Sequence, residues 1–177
     1  SNVGGDLAVT ASAGTITQDG GALTVDGTSS FTTSANDQSI TLNNTGNALS
    51  GAVTFSTATA GTNVGHVTID NGTTDLLLTA QTIKGNLNIT TGGIVDFQGQ
   101  VDLATGNLDV LFDDDNDGTI TTVVDQNIIA TNIDFTSGSG ATGTTLSITS
   151  NLTAKGALTI DNIETVDIAQ NVDLEAP

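Results

Sequence analysis

The chain has no cysteine, methionine, tryptophan, tyrosine or arginine, one proline at its last position, Pro177, and only two basic residues, Lys84 and Lys155. Without cysteine there is neither a disulfide-stapled scaffold nor a thiolate metal site. With 20 acidic residues against two bases, the formal net charge is −18. Association with nucleic acid rests largely on cationic contacts to phosphate, so DNA and RNA are not expected partners. An anionic membrane surface repels such a chain in the same way. No apolar run approaches the ~18 residues needed to span a bilayer, so no membrane insertion is expected.

The missing aromatics bear on catalysis and fold alike. Carboxylate pairs for glycoside hydrolysis are abundant. Acidic sugars, however, need cationic anchors, and neutral sugars usually stack on Trp or Tyr. A polysaccharide-active β-helix enzyme is therefore the weakest of three functional readings, and the chain is expected to be no enzyme. An antiparallel sandwich commonly buries Trp or Tyr and places Pro in its turns, which leaves it as the rival architecture rather than the expected one.

What is present is Gly, 21 residues of it, with abundant Thr, Asn and Asp, and 36% hydrophobic residues that include five Phe. A short phrase recurs: Gly, a small or polar residue, an apolar residue, a polar residue, an apolar residue. It occurs at Gly5-Asp6-Leu7-Ala8-Val9, Gly21-Ala22-Leu23-Thr24-Val25, Gly51-Ala52-Val53-Thr54-Phe55 and Gly65-His66-Val67-Thr68-Ile69. It returns at Gly85-Asn86-Leu87, Gly106-Asn107-Leu108 and Gly156-Ala157-Leu158. A period of two puts the apolar side chains of each phrase on one face of a short strand. Helical spacing is sustained nowhere. Between phrases lie Gly, Asn, Asp, Ser and Thr clusters that favour turns.

From Val67 to Leu87, Leu108, Ile133 and Leu158 the anchors advance by 20, 21, 25 and 25 residues. That period, with several strands inside it, indicates a solenoid. The expected fold is all-β: a right-handed parallel β-helix of about 7–9 coils, spanning 1–177 as one segment excised from a longer repeat protein. Near the N-terminus the phrase recurs at 16, 30 and 14 residues, so coil boundaries there stay open.

From Ile16 to Phe55 the sequence resembles the repeat region of filamentous-haemagglutinin-like large bacterial adhesins. The residues that carry the resemblance are Ile16-Thr17-Gln18, Gly21-Ala22-Leu23-Thr24-Val25, Gly27-Thr28 and Phe31. It continues through Ile40-Thr41-Leu42-Asn43-Asn44, Asn47-Ala48-Leu49 and Gly51-Ala52-Val53. The resemblance implies a parallel β-helix shaft, exported and displayed at the bacterial cell surface or released. The family's secretion domain carries Asn-Pro motifs, and this chain has none. It implies, then, a structural shaft segment whose partners are neighbouring coils of the same longer chain. A self-assembling extracellular fibre or matrix subunit, associating end to end, is the second reading.

One segment carries site chemistry. Asp113-Asp114-Asp115-Asn116-Asp117-Gly118-Thr119-Ile120 matches the start of a calcium loop, with oxygen ligands at alternate positions and Gly at the sharp turn. Asp113, Asp115 and Asp117 would supply carboxylates and Thr119 its carbonyl, with calcium as the cofactor. The pattern departs from an EF-hand at its twelfth position, Val124, where a bidentate Glu belongs. A solvated acidic turn is the alternative. His66, the single imidazole, and both lysines read as surface residues. The Asn-x-Thr sites at Asn43, Asn71, Asn88 and Asn151 read as turn asparagines that bond neighbouring coils.

Overall fold

The computed structural model describes residues 1–59, 62–103 and 105–176; Pro177 lies outside them. Every regular element among these is a strand, and no described helix is long and apolar enough to cross a membrane. The strands pair in parallel throughout and stack as a β-solenoid of about seven turns. The expected parallel β-helix is the observed fold, and right-handed crossovers are the rule for parallel strands.

Two sheets run the length of the molecule. The first has eight strands: Leu7–Ala11, Ser29–Thr33, Val53–Thr57, Leu76–Leu78, Val95–Phe97, Thr121–Val124, Thr145–Ile148 and Thr165–Ile168. The second has seven: Ile16–Thr17, Gln38–Leu42, Val64–Asp70, Leu87–Thr90, Leu108–Phe112, Ile133–Ser137 and Leu158–Asp161. Seven steps of ~4.8 Å make the first sheet ~34 Å deep along the stack.

Alternation decides which side chains fill the lumen. Along the second sheet Val67, Leu87, Leu108, Ile133 and Leu158 are aligned residue on residue, as the sequence spacing predicts. Of these only Leu158, near the end of the stack, is not fully buried. Fully burying such a side chain contributes about 1.5–3 kcal/mol. Phe31 stacks on Phe55 in the adjacent coil at 5.9 Å between ring centroids, and Phe97 meets Phe135 edge-on across the lumen at 6.4 Å.

The N-terminal irregularity has a concrete cause: the recurring phrase does not always stand at the same corner. Leu7 and Val53 open strands of the first sheet, Thr24–Val25 belongs to a third, and Val67 belongs to the second. Leu7 and Val53 are two coils apart, and between them the same inward position is held by Ser29. A buried serine in an aliphatic row hides one repeat from a search for apolar pairs.

The third side of the coil changes corner along the stack. Asn2–Val3, Thr24–Val25 and Ala48–Leu49 form a three-stranded sheet that precedes the first-sheet strand of each coil. From the fourth coil on, its place is taken by a five-stranded sheet that follows that strand: Gln81–Thr82, Val101–Asp102, Ile128–Ala130, Leu152–Ala154 and Leu174–Glu175. The switch strands backbone groups inside the protein, and buried amide side chains satisfy them. Asn71 Oδ1 accepts from the Leu49 amide at 2.8 Å while its Nδ2 donates to the Leu49 carbonyl at 3.3 Å, the two bonds a next strand would have made. Gln81 Oε1 accepts from the otherwise unpaired Phe55 amide at 3.1 Å, and its Nε2 adds a bond at 3.3 Å to the Val53 carbonyl, which already accepts the Thr79 amide at 3.2 Å.

Two buried polar residues should therefore respond with opposite sign. Asn71→Leu leaves the Leu49 amide and carbonyl unpaired and is expected to lower stability by about 1–3 kcal/mol. The Ser29 hydroxyl is buried without a hydrogen-bond partner, so Ser29→Ala is expected to be neutral or stabilising by up to about 1 kcal/mol. Urea unfolding of the two variants beside the parent chain measures both.

Candidate functional site

Coil length varies at the corner that joins the second sheet to the first. The connection is four residues at 91–94, eight at 113–120 and seven at 138–144, which accounts for the change of period from 20 and 21 to 25. The longest of these outgrowths is the acidic segment.

The loop begins with a bulge. Thr91 donates its amide to the Leu111 carbonyl, and a regular parallel ladder would return a bond from Asp113. Asp114 donates to the Thr91 carbonyl instead, at 3.2 Å, so Asp113 is an extra residue in the strand. Its φ of 51° and that of Asn116, 56°, lie in the left-handed region that Asp and Asn tolerate better than other non-Gly residues. The chain then folds back through a turn in which the Asn116 amide donates to the Asp113 carbonyl at 3.2 Å.

Glycines in the coils on either side make room for it. A Cβ at Gly92 would lie 2.6 Å from Asp115 Oδ2, and one at Gly138 would lie 2.6 Å from Asn116 Oδ1. The Asp115 carboxylate thus rests on the preceding coil and the Asn116 amide against the following one. At Gly138 a Cβ would also lie 2.2 Å from the Asp113 carbonyl, which leaves that position to glycine.

The three candidate carboxylates come together. One carboxylate oxygen from each of Asp113, Asp115 and Asp117 lies within 4.8 Å of the other two. Asp115 and Asp117 are exposed, whereas Asp113 is completely buried and neither of its oxygens has a hydrogen-bond partner. Burial first, and then the Asp115 carboxylate, push the Asp113 pKa up. The nearby amides of Asp117 and Gly118 pull it down by less and do not reach hydrogen-bond geometry. Thr119 is exposed, with its side chain against Gly143 of the next coil.

A second surface feature is a groove of about 310 Å³ that includes Asp37, His66, Lys84 and Asn86. Lys84 Nζ pairs with Asp37 Oδ2 at 2.7 Å, and both side chains are about half exposed. An exposed pair of this kind contributes about 0–1 kcal/mol. Lys84 is a surface residue, as its sequence context suggests, but its partner lies 47 positions away and was not visible there. His66 uses Nδ1 to accept the Asn86 amide at 3.0 Å. That bond opens a ladder. Asn86 Oδ1 accepts the Asn107 amide at 3.1 Å, Asn107 Oδ1 accepts from Asn132 Nδ2 at 2.9 Å, and Asn132 Oδ1 accepts the Ala157 amide at 2.8 Å. The groove is thus a structural seam. Of the four Asn-x-Thr asparagines, Asn71 and Asn151 bond neighbouring coils through their side chains as expected.

One like-charge contact is set by the register itself. On the outer face of the second sheet Asn88, Asp109, Asp134 and Thr159 are stacked in that order. Partial burial, followed by the Asp134 charge, raises the Asp109 pKa. A carboxyl with a raised folded-state pKa binds its proton more tightly folded than unfolded. Its contribution favours the fold at low pH and is lost as pH rises through the folded pKa. Asp109→Asn is accordingly expected to melt above the parent chain at neutral pH, by an amount matching about 0.2–1 kcal/mol. The gap should close as pH is lowered toward 4 and shrink in high salt.

Residues 1–56 match a family model described as repeats of unknown function (DUF5649). No curated protein and no solved structure matches the chain. The matched stretch contains the Ile16–Phe55 segment. It supports repeat character and attaches no activity to it: the protein is a β-solenoid repeat protein whose first 56 residues are similar to that family.

Proposed function

We propose that this chain is a non-catalytic shaft segment of a secreted or cell-surface, adhesin-like bacterial protein, stacked between neighbouring coils of the same longer chain. The observation that carries the reading is the unbroken parallel stacking of two sheets, eight and seven strands deep, around one aliphatic lumen. In such a column each inner strand is hydrogen-bonded on both edges and packed on its neighbours above and below. Bending the axis would break several ladders at once, so the column is stiff. The charge of −18 keeps it solvated and disfavours nucleic acid and anionic membranes.

The last coil supports the same reading. Val166 and Ile168 continue the row of the buried Leu146 and Ile148, yet they are 38% and 50% exposed. One more coil laid on this end would cover them. The placing of the protein outside the bacterial cell rests on the resemblance of Ile16–Phe55 to adhesin repeats.

The open end row also favours a second reading, a subunit that assembles end to end into an extracellular fibre. Light scattering at rising concentration separates the two. The shaft reading expects a monomer throughout, and growth into polymers that Ile168→Asp suppresses would replace it with the fibre reading. A screen of common glycans should release no reducing ends; release would overturn the non-catalytic assignment.

A further inference from the structure

We propose that Asp113, Asp115 and Asp117 bind one divalent cation, Ca²⁺ by its ligand chemistry, and that the bound ion fastens the 113–120 corner loop to the coils beside it. Two oxygens sharing a calcium ion at ~2.3–2.6 Å stand at most about 5 Å apart. The three carboxylate oxygens lie within 4.8 Å of one another, which is the size of that shell. Around Mg²⁺, with bonds of ~2.0–2.1 Å and strict octahedral geometry, the same oxygens would have to draw in further.

Proximity of acidic groups does not by itself distinguish a site from a solvated turn. Asp113 does. It is fully buried, both its oxygens lack a hydrogen-bond partner, and it directs one of them into the cluster formed with Asp115 and Asp117. Buried polar groups in folded proteins are nearly always partnered, and a buried carboxylate most of all. A solvated acidic turn would expose Asp113 to water as it exposes Asp115 and Asp117. A cation lying among the three supplies the missing partner and cancels the repulsion of the two neighbouring carboxylates.

The backbone is shaped to this end. The bulge at Asp113 turns the first ligand inward, and the left-handed residues 113 and 116 bring the alternate positions 115 and 117 back toward it. Because the Asp115 carboxylate lies on Gly92 and the Asn116 amide against Gly138, a cation fixing this loop also fixes its contacts to the preceding and following coils. The rest of the coordination shell falls to water and backbone carbonyls. With two of three ligands at the solvent edge, the expected dissociation constant is that of extracellular calcium modules, ~10⁻⁴–10⁻³ M. The inference does not depend on the shaft reading, since monomeric state and calcium binding are measured separately.

The test is calorimetric titration of the full chain with CaCl₂ and with MgCl₂, beside thermal melts in calcium and in EGTA. One calcium per chain, a midpoint higher in calcium than in EGTA, and a smaller response to magnesium are expected. Asp113→Asn and, independently, the exposed Asp117→Asn should each weaken calcium binding by at least about tenfold and remove the midpoint shift. Asp19→Asn, an exposed acid elsewhere, should leave both unchanged. Identical midpoints in calcium and EGTA would overturn the site. So would a full calcium response in both Asp113→Asn and Asp117→Asn, or an equal loss in Asp19→Asn, which would mark a diffuse counterion effect.

Discussion

The whole molecule depends on one constraint: each coil must offer its backbone, in parallel and in register, to the coil above and below. Because side chains alternate across a strand, fixing the register fixes which residues face the lumen. Val67, Leu87, Leu108, Ile133 and Leu158 then become a single row, and so do Asn88, Asp109, Asp134 and Thr159 outside. The same rule that stacks aliphatic residues into a core stacks two aspartates into a repulsive pair. Where the lumen must hold a polar group, the fold turns it to use, as with Asn71 and Gln81, or bears its cost, as with Ser29.

Freedom is left at the corners. Strands cannot lengthen or shorten without breaking the ladders, so differences in coil length collect in connections, and the longest connection carries the acidic loop. Connections between rigid elements commonly hold binding chemistry for this reason. The corner change of the third side is a second expression of the same freedom. The family match ends at residue 56, within the third coil, and the new third sheet begins at Gln81. The two parts of the column are therefore built on different repeat layouts, which is a physical reason for a repeat model to fit one and not the other.

The second sheet was legible in sequence because four of its seven strands carry Gly-x-apolar-polar-apolar at one corner, and the glycine has a steric cause. A Cβ at Gly106 would collide with the Gly85 carbonyl of the coil before it. Apart from the phrase at Gly21–Val25 the third side was not legible: all its strands are two or three residues long, too short to show a period. Nor was the first sheet through its second coil, where Ser29 and Thr33 occupy inward positions that an apolar search passes over. In the acidic loop the alternation of Asp113, Asp115 and Asp117 pointed to the right three carboxylates. The burial of Asp113 could not be read from sequence, because it comes from a one-residue bulge defined only by the neighbouring coil.

The absence of cysteine permits a direct test of the stacking register. Thr68 and Asn88 are ladder partners on the outer face in adjacent coils, whereas Thr68 and Asp109 are two coils apart. A disulfide needs Cα atoms within about 7 Å, a limit met by one ~4.8 Å step and exceeded by two. Oxidation should close the Thr68→Cys/Asn88→Cys pair in nearly every molecule and leave Thr68→Cys/Asp109→Cys as free thiols. Failure of the first pair to close, or closure of both alike, would contradict the coil-on-coil arrangement.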